Sequence, residues 1–72
     1  MIADIDRRVG ANVKAELIRA GLTQDQAAAE LKLGQASLSG RINGSIPFRV
    51  NELVRLSRRF GIPVSRMILD ID

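Results

Sequence analysis

Between Thr23 and Gly44 the chain reads TQDQAAAELKLGQASLSGRING, and this stretch constrains the fold more than any other. Thr23 followed three residues later by Gln26 is a capping-box pattern: the hydroxyl accepts from the Gln26 amide and the glutamine reaches back. Ala27, Ala28, Ala29 and Leu31 come next, which gives a short helix with small inward residues, ending near Lys32. Lys32-Leu33-Gly34 is then a turn, with Leu33 plugging the angle and Gly34 placed as N-cap of a second short helix from Gln35 to Ile42. Asn43-Gly44 stops that helix, because the pair readily adopts the left-handed conformation. The rest of the chain reads as scaffold for this pair.

Three further helices are expected. The first runs from Ile5 to Ala20, with Val9, Val13, Leu17 and Ala20 at spacings of three or four, and Gly21 ends it. Gly10 lies inside it and lowers helix propensity by about 1 kcal/mol relative to alanine, which predicts a frayed first turn. Ser45-Ile46-Pro47-Phe48 reads as a loop anchored by Phe48. A helix from Val50 to Phe60 buries Val50, Leu53, Val54, Leu56 and Phe60, and Gly61 terminates it. Pro63 opens a short last helix with Val64, Met67 and Ile68 as its apolar face. No repeat, linker or low-complexity stretch interrupts the 72 residues. The expectation is an all-α, compact five-helix bundle forming a single domain over residues 1–72, with the angled pair at about 23–43.

Composition narrows what such a bundle can do. With no cysteine and no histidine, there is no disulfide framework, no thiolate metal site and none of the commonest general base. The carboxylates are scattered, so no acid–base pair or ligand cluster emerges; neither an enzyme nor a cofactor is expected. Hydrophobic residues make up 46% of the chain but only two are aromatic, Phe48 and Phe60, so the core must be aliphatic. No apolar run approaches the roughly 20 residues of a membrane span, and MIADIDRR lacks a signal-peptide pattern. A cytoplasmic protein is expected. Net charge is +3, and it is unevenly spread. Residues 1–34 balance, residues 35–66 hold six arginines against Glu52 alone, and Asp70 and Asp72 close the chain. Positive charge thus begins where the second helix of the pair begins, as a phosphate-facing half requires.

At about 100° per residue, Leu38 and Ile42 mark the inward face of that second helix. Gly40 lies opposite, flanked by Ala36 and Ser37. A nearly bare outward face lets a helix sink into a DNA major groove about 12 Å wide. Gln35, Ala36, Ser37 and Gly40 are therefore the expected base-reading residues. Gln35 can offer its amide to adenine N6 and N7, Ala36 can meet a thymine methyl, and Ser37 can donate to either base type. Arg41 and Asn43 lie either side of the bare face, and Arg49 precedes the next helix. These three are expected on phosphates, contacts that fix register and dominate salt-dependent affinity. Arg55, Arg58, Arg59 and Arg66 are expected to pair with acids of the first helix or to remain solvated, with further phosphate contacts as the alternative.

With these residues in place, the chain resembles the lambda repressor/Cro-type, or Xre-like, helix-turn-helix family. The likeness is carried by Leu22-Thr23-Gln24, Ala28, Leu31, Leu33, Leu38-Ser39 and Asn43-Gly44, and extends over about residues 8 to 68. Gly34-Gln35-Ala36-Ser37-Leu38 is especially close to the family's recognition segment. Lys32 stands where the family usually has a turn glycine, which predicts a positive φ there. Gly34 replaces the usual Ser or Thr cap at a cost of tenths of a kcal/mol.

The resemblance implies a fold and a function: a sequence-specific regulator, of phage-repressor or Cro type, that occupies a double-stranded DNA operator. It also adds Gln24 and Ser39 to the backbone-contacting set, with Gln24 bracing the glutamine at the recognition-helix tip. A homodimer through Val64, Met67, Ile68, Leu69 and Ile71 is one expectation for the C-terminal end; closure of the core by the same residues is the other. An entire regulator is one expectation for the chain, and the N-terminal module of a longer one is the other. The rival expectation is a protein-binding module, such as a toxin-neutralising antitoxin or an adaptor on the same fold.

Overall fold

The Thr23 capping box forms as the sequence requires. The Thr23 hydroxyl accepts from the Gln26 N–H at 3.1 Å and the Gln26 Oε1 accepts from the Thr23 N–H at 2.8 Å. In the computed structural model, which describes residues 2–71 and side chains from Asp4 onward, this cap opens the second of five helices. They are α1 (Ile2–Arg19), α2 (Gln24–Leu31), α3 (Gln35–Asn43), α4 (Val50–Phe60) and α5 (Val64–Met67). Asp72, counted above at the acidic end, lies outside the described residues.

The turn between α2 and α3 closes on Lys32, whose φ of 56° is left-handed. Its N–H reaches back to Ala29 O at 3.2 Å and the Leu33 N–H to Ala28 O at 2.9 Å, satisfying carbonyls that a helix end leaves unpaired. Leu33 packs against the core as the plug between the helices.

Val9, Val13 and Leu17 of α1, Ala27, Ala28 and Leu31 of α2, Leu38 of α3, and Leu53 and Leu56 of α4 form one apolar cluster with Ile62 and Met67. Leu17, Leu38, Leu56, Met67 and Val13 are essentially inaccessible; truncating any of the three leucines to alanine costs about 2–5 kcal/mol. The radius of gyration is 10.8 Å, against roughly 11 Å expected for a compact chain of this length.

Several expectations need correction. α1 starts at Ile2 rather than Ile5 and runs unbroken through Gly10. A Cβ at Gly10 would collide with the carbonyl oxygens of Arg41 and Ile42, so the missing side chain lets α1 lie directly on the backbone of α3. Gly44 extends the same seam: with φ of 86° it caps α3, and a Cβ there would stand 2.6 Å from the Arg7 Cα. Ala20 is exposed, not inward. Val50 is 76% exposed, because the first residue of α4 stands beyond the edge of the core. Ile62, which follows the Gly61 stop, is buried as well.

At the C-terminal end, Met67 is fully buried and Ile71 packs on the core, while Ile68 and Leu69 are exposed. Met67 therefore closes the core and cannot face a partner. Asn12 of α1 ties this end down: its Nδ2 donates to Met67 O at 3.1 Å and to Leu69 O at 2.7 Å. None of the described helices is long and apolar enough to cross a membrane.

Candidate nucleic-acid interface

The helix α3 offers its surface in a pattern rotated from the one expected. Gln35, Ala36, Ser39 and Asn43 are exposed, Ser37 is half-buried, and Leu38, Gly40 and Arg41 are buried. The outward stripe therefore runs Gln35, Ala36, Ser39, Asn43. Hydropathy misplaced it because Arg41 belongs to the inward side. The apolar pair Leu38 and Ile42 marks only one edge of the covered surface, and a charged residue completes it.

Arg41 is the largest departure. Instead of facing outward it lies against Glu52 of α4 in a two-pronged ion pair, Nε to Oε1 at 3.0 Å and Nη2 to Oε2 at 3.1 Å. Its Nη1 donates to the Ser37 carbonyl at 3.1 Å. The two side chains are only 10% and 13% exposed, so the guanidinium is committed internally. Glu52 Oε1 also accepts the Arg49 N–H at 2.9 Å, serving the start of α4. Burial pushes the Glu52 carboxyl upward; the bonds from Arg41 and the Arg49 N–H, with both positive charges, outweigh it and leave the carboxyl below its ordinary value. The pair links α3 directly to α4, two helices that otherwise meet through α2 and the shared core. The sequence held one signal for it: Glu52 is the lone acid among the arginines of residues 35–66.

Gly40 is likewise not bare. The loop after α3 folds back over it, so that a Cβ would stand 2.7 Å from Ile46 Cδ1. The Gly40 carbonyl accepts from the Ile46 N–H at 3.1 Å and from the Ser45 hydroxyl at 3.2 Å. Its small size makes room for that loop.

The N-terminal tips of α2 and α3 converge on a shallow cleft lined by Gln24, Asp25, Gln35, Leu38 and Ser39. Within it the Gln35 Nε2 donates to Asp25 Oδ1. The α2 residue meeting Gln35 is thus Asp25, not the expected Gln24, which stands exposed at the first position of α2.

At the far end of the stripe, Asn43 Oδ1 accepts the Ser45 N–H at 2.9 Å. The bond occupies the Asn43 oxygen, while its Nδ2 makes no hydrogen bond among the described residues. Arg49, exposed at the N-cap of α4, forms no ion pair among the described residues.

Other arginines are spent elsewhere. Arg55 donates to the Glu30 carbonyl at 2.7 Å, Arg59 pairs with the Glu30 carboxylate at 3.3 Å, and the Arg59 guanidinium lies 5.4 Å from the Phe60 ring centre. Their partner is on α2, not on the first helix as expected.

A family model described as helix-turn-helix matches residues 13–66, from the middle of α1 into α5. No curated protein and no solved structure matches the chain. The matched span contains the α2–turn–α3 unit with its left-handed turn, the Gly44 cap of α3 and the whole of α4, whereas Gly10 of the α1–α3 seam lies before it. The chain belongs to the lambda repressor-like, or Xre-type, helix-turn-helix family, whose members are DNA-binding regulators.

Proposed function

We propose that this protein occupies a specific double-stranded DNA operator with α3 in the major groove, as a repressor of phage or Cro type acting in the bacterial cytoplasm. One observation carries the reading: the exposed stripe of α3 consists of two amides, one alanine and one serine, with no large apolar side chain. Such a surface suits a groove edge lined by donors, acceptors and methyl groups. It does not suit a partner helix, which would want large apolar anchors.

In this reading Gln35, Ala36 and Ser39 face base edges, and Ser37 stands at their margin. Gln24, Asn43 and Arg49 meet phosphates on either side. Gly40 and Arg41 leave the contact set and act by shaping the loop and the α3–α4 angle. The short side chains leave room for bridging water and shape readout.

The test is selection of bound sequences from a random duplex pool at two salt concentrations, with the wild type and Gln35→Ala. A consensus is expected. The variant should lose affinity for it by about 1–3 kcal/mol while binding unrelated DNA as before. Equal losses on both DNAs would remove the base-reading role, and selection of nothing would remove the operator itself.

A further inference from the structure

The tip of Gln35 is constrained by its neighbour. Its Nε2 donates to Oδ1 of Asp25, in the first turn of α2. An ionised carboxylate accepts hydrogen bonds and donates none. It therefore holds the amide nitrogen toward α2, because the reversed amide would set two acceptor oxygens against each other. One Nε2 hydrogen is consumed; Oε1 and the second hydrogen remain. An acceptor beside a donor complements adenine, which offers the N6 amino group and N7. Guanine offers two acceptors, O6 and N7, and leaves Oε1 opposed to one of them.

We propose that Asp25 is a specificity-determining positioning residue, whose hydrogen bond locks Gln35 in the amide orientation that reads adenine and rejects guanine. The proposal rests on the base-reading role of Gln35 given above. Asp25 is itself exposed and makes no ion pair among the described residues. Its carboxylate is thus free of the structural duty that Glu52 performs, and its removal leaves no buried charge behind.

Selection from the random duplex pool, carried out on the full chain as wild type, Gln35→Ala, Asp25→Asn and Asp25→Ala, tests it. The position whose preference vanishes in Gln35→Ala is the one Gln35 reads. There the wild type is expected to prefer adenine over guanine by about tenfold. In both Asp25 variants the ratio should fall to about two, with the remaining consensus intact, since asparagine tolerates either amide orientation and alanine imposes none. An unchanged ratio in both variants overturns the lock while leaving Gln35 as reader. Absence of any consensus in the wild type overturns the reading and the lock together.

A DNA-free readout comes from the side-chain amide protons of Gln35 in an NMR spectrum. They should stand apart from those of the other glutamines in the wild type and merge with them in Asp25→Ala. Merging already in the wild type would overturn the proposal without reference to DNA.

Discussion

Arg41 shows how a residue's chemistry is decided by what faces it. An arginine on a helix that enters a groove suggests a phosphate contact, yet its guanidinium is committed to Glu52 and the Ser37 carbonyl. Arg41→Ala leaves the largely covered Glu52 carboxylate without its partner, and removing one member of such a pair costs about 3 kcal/mol. Arg41→Lys should recover little, because an ammonium cannot reproduce the two-pronged geometry. Chemical denaturation gives both numbers.

The pair also sets a pH dependence. The Glu52 carboxyl is held below its ordinary value in the folded chain, so its contribution is present above the ordinary carboxylate range. It is lost as pH falls through the folded-state value. Thermal melts of the wild type and Glu52→Gln should therefore differ at pH 7 and converge on strong acidification. A gap that stays constant would show that the carboxylate's charge is not what holds α3 to α4.

At the scale of elements, two helical glycines that look alike in the sequence have opposite roles. Gly10 sits where α1 crosses α3, and a Cβ would strike backbone carbonyls that cannot move without parting the helices. Gly10→Ala should destabilise by about 1–3 kcal/mol despite its gain in helix propensity. A Cβ at Gly40 meets side-chain atoms alone, chiefly Ile46 and at ordinary contact distance the Ser45 hydroxyl; Ile46 is 37% exposed and can swing away. Gly40→Ala should change stability by no more than about 1 kcal/mol. Denaturant midpoints of the two variants decide the matter, and equal losses would refute the backbone seam.

This contrast explains what was legible beforehand. The capping box, the Lys32 turn, Asn43-Gly44 and the aliphatic spacing of α1 are local signals, each set by a few adjacent residues, so the helices and their order could be read. The Gly10 seam, the Arg41–Glu52 pair and the Asn12 clamp on α5 join residues far apart in the chain. No periodicity reports them. Gln35, Ala36 and Asn43 were placed outward by spacing alone, whereas Gly40 was misplaced because spacing cannot see the loop that folds over it.

Across the whole molecule, charge divides according to which arginines are already engaged. The excess in residues 35–66 suggested a broad cationic face, but Arg41 is committed to Glu52, and Arg55 and Arg59 to Glu30. Arg49, Arg58 and Arg66 form no ion pair among the described residues, and of these Arg49 stands at the N-cap of α4. Each phosphate contact adds about 0.9 to the slope of log affinity against log salt. Arg49→Ala should lower that slope by about one, and Arg59→Ala should leave it unchanged; titrations of one duplex at several salt concentrations read both.

The same surface limits self-association. With Met67 buried and Ile71 against the core, the exposed apolar surface at the C-terminal end is Ile68 and Leu69. Two side chains fall far short of the roughly 1,200 Å² or more that a stable interface buries. The free chain should therefore sediment as a monomer at low micromolar concentration. Pairing of two copies is then expected only where adjacent half-sites, about one helical turn apart, raise their local concentration. Ile68→Asp with Leu69→Asp should then leave binding to a single half-site intact and abolish cooperativity on the double site. A dimer that persists without DNA would mean that another face of the bundle carries the interface.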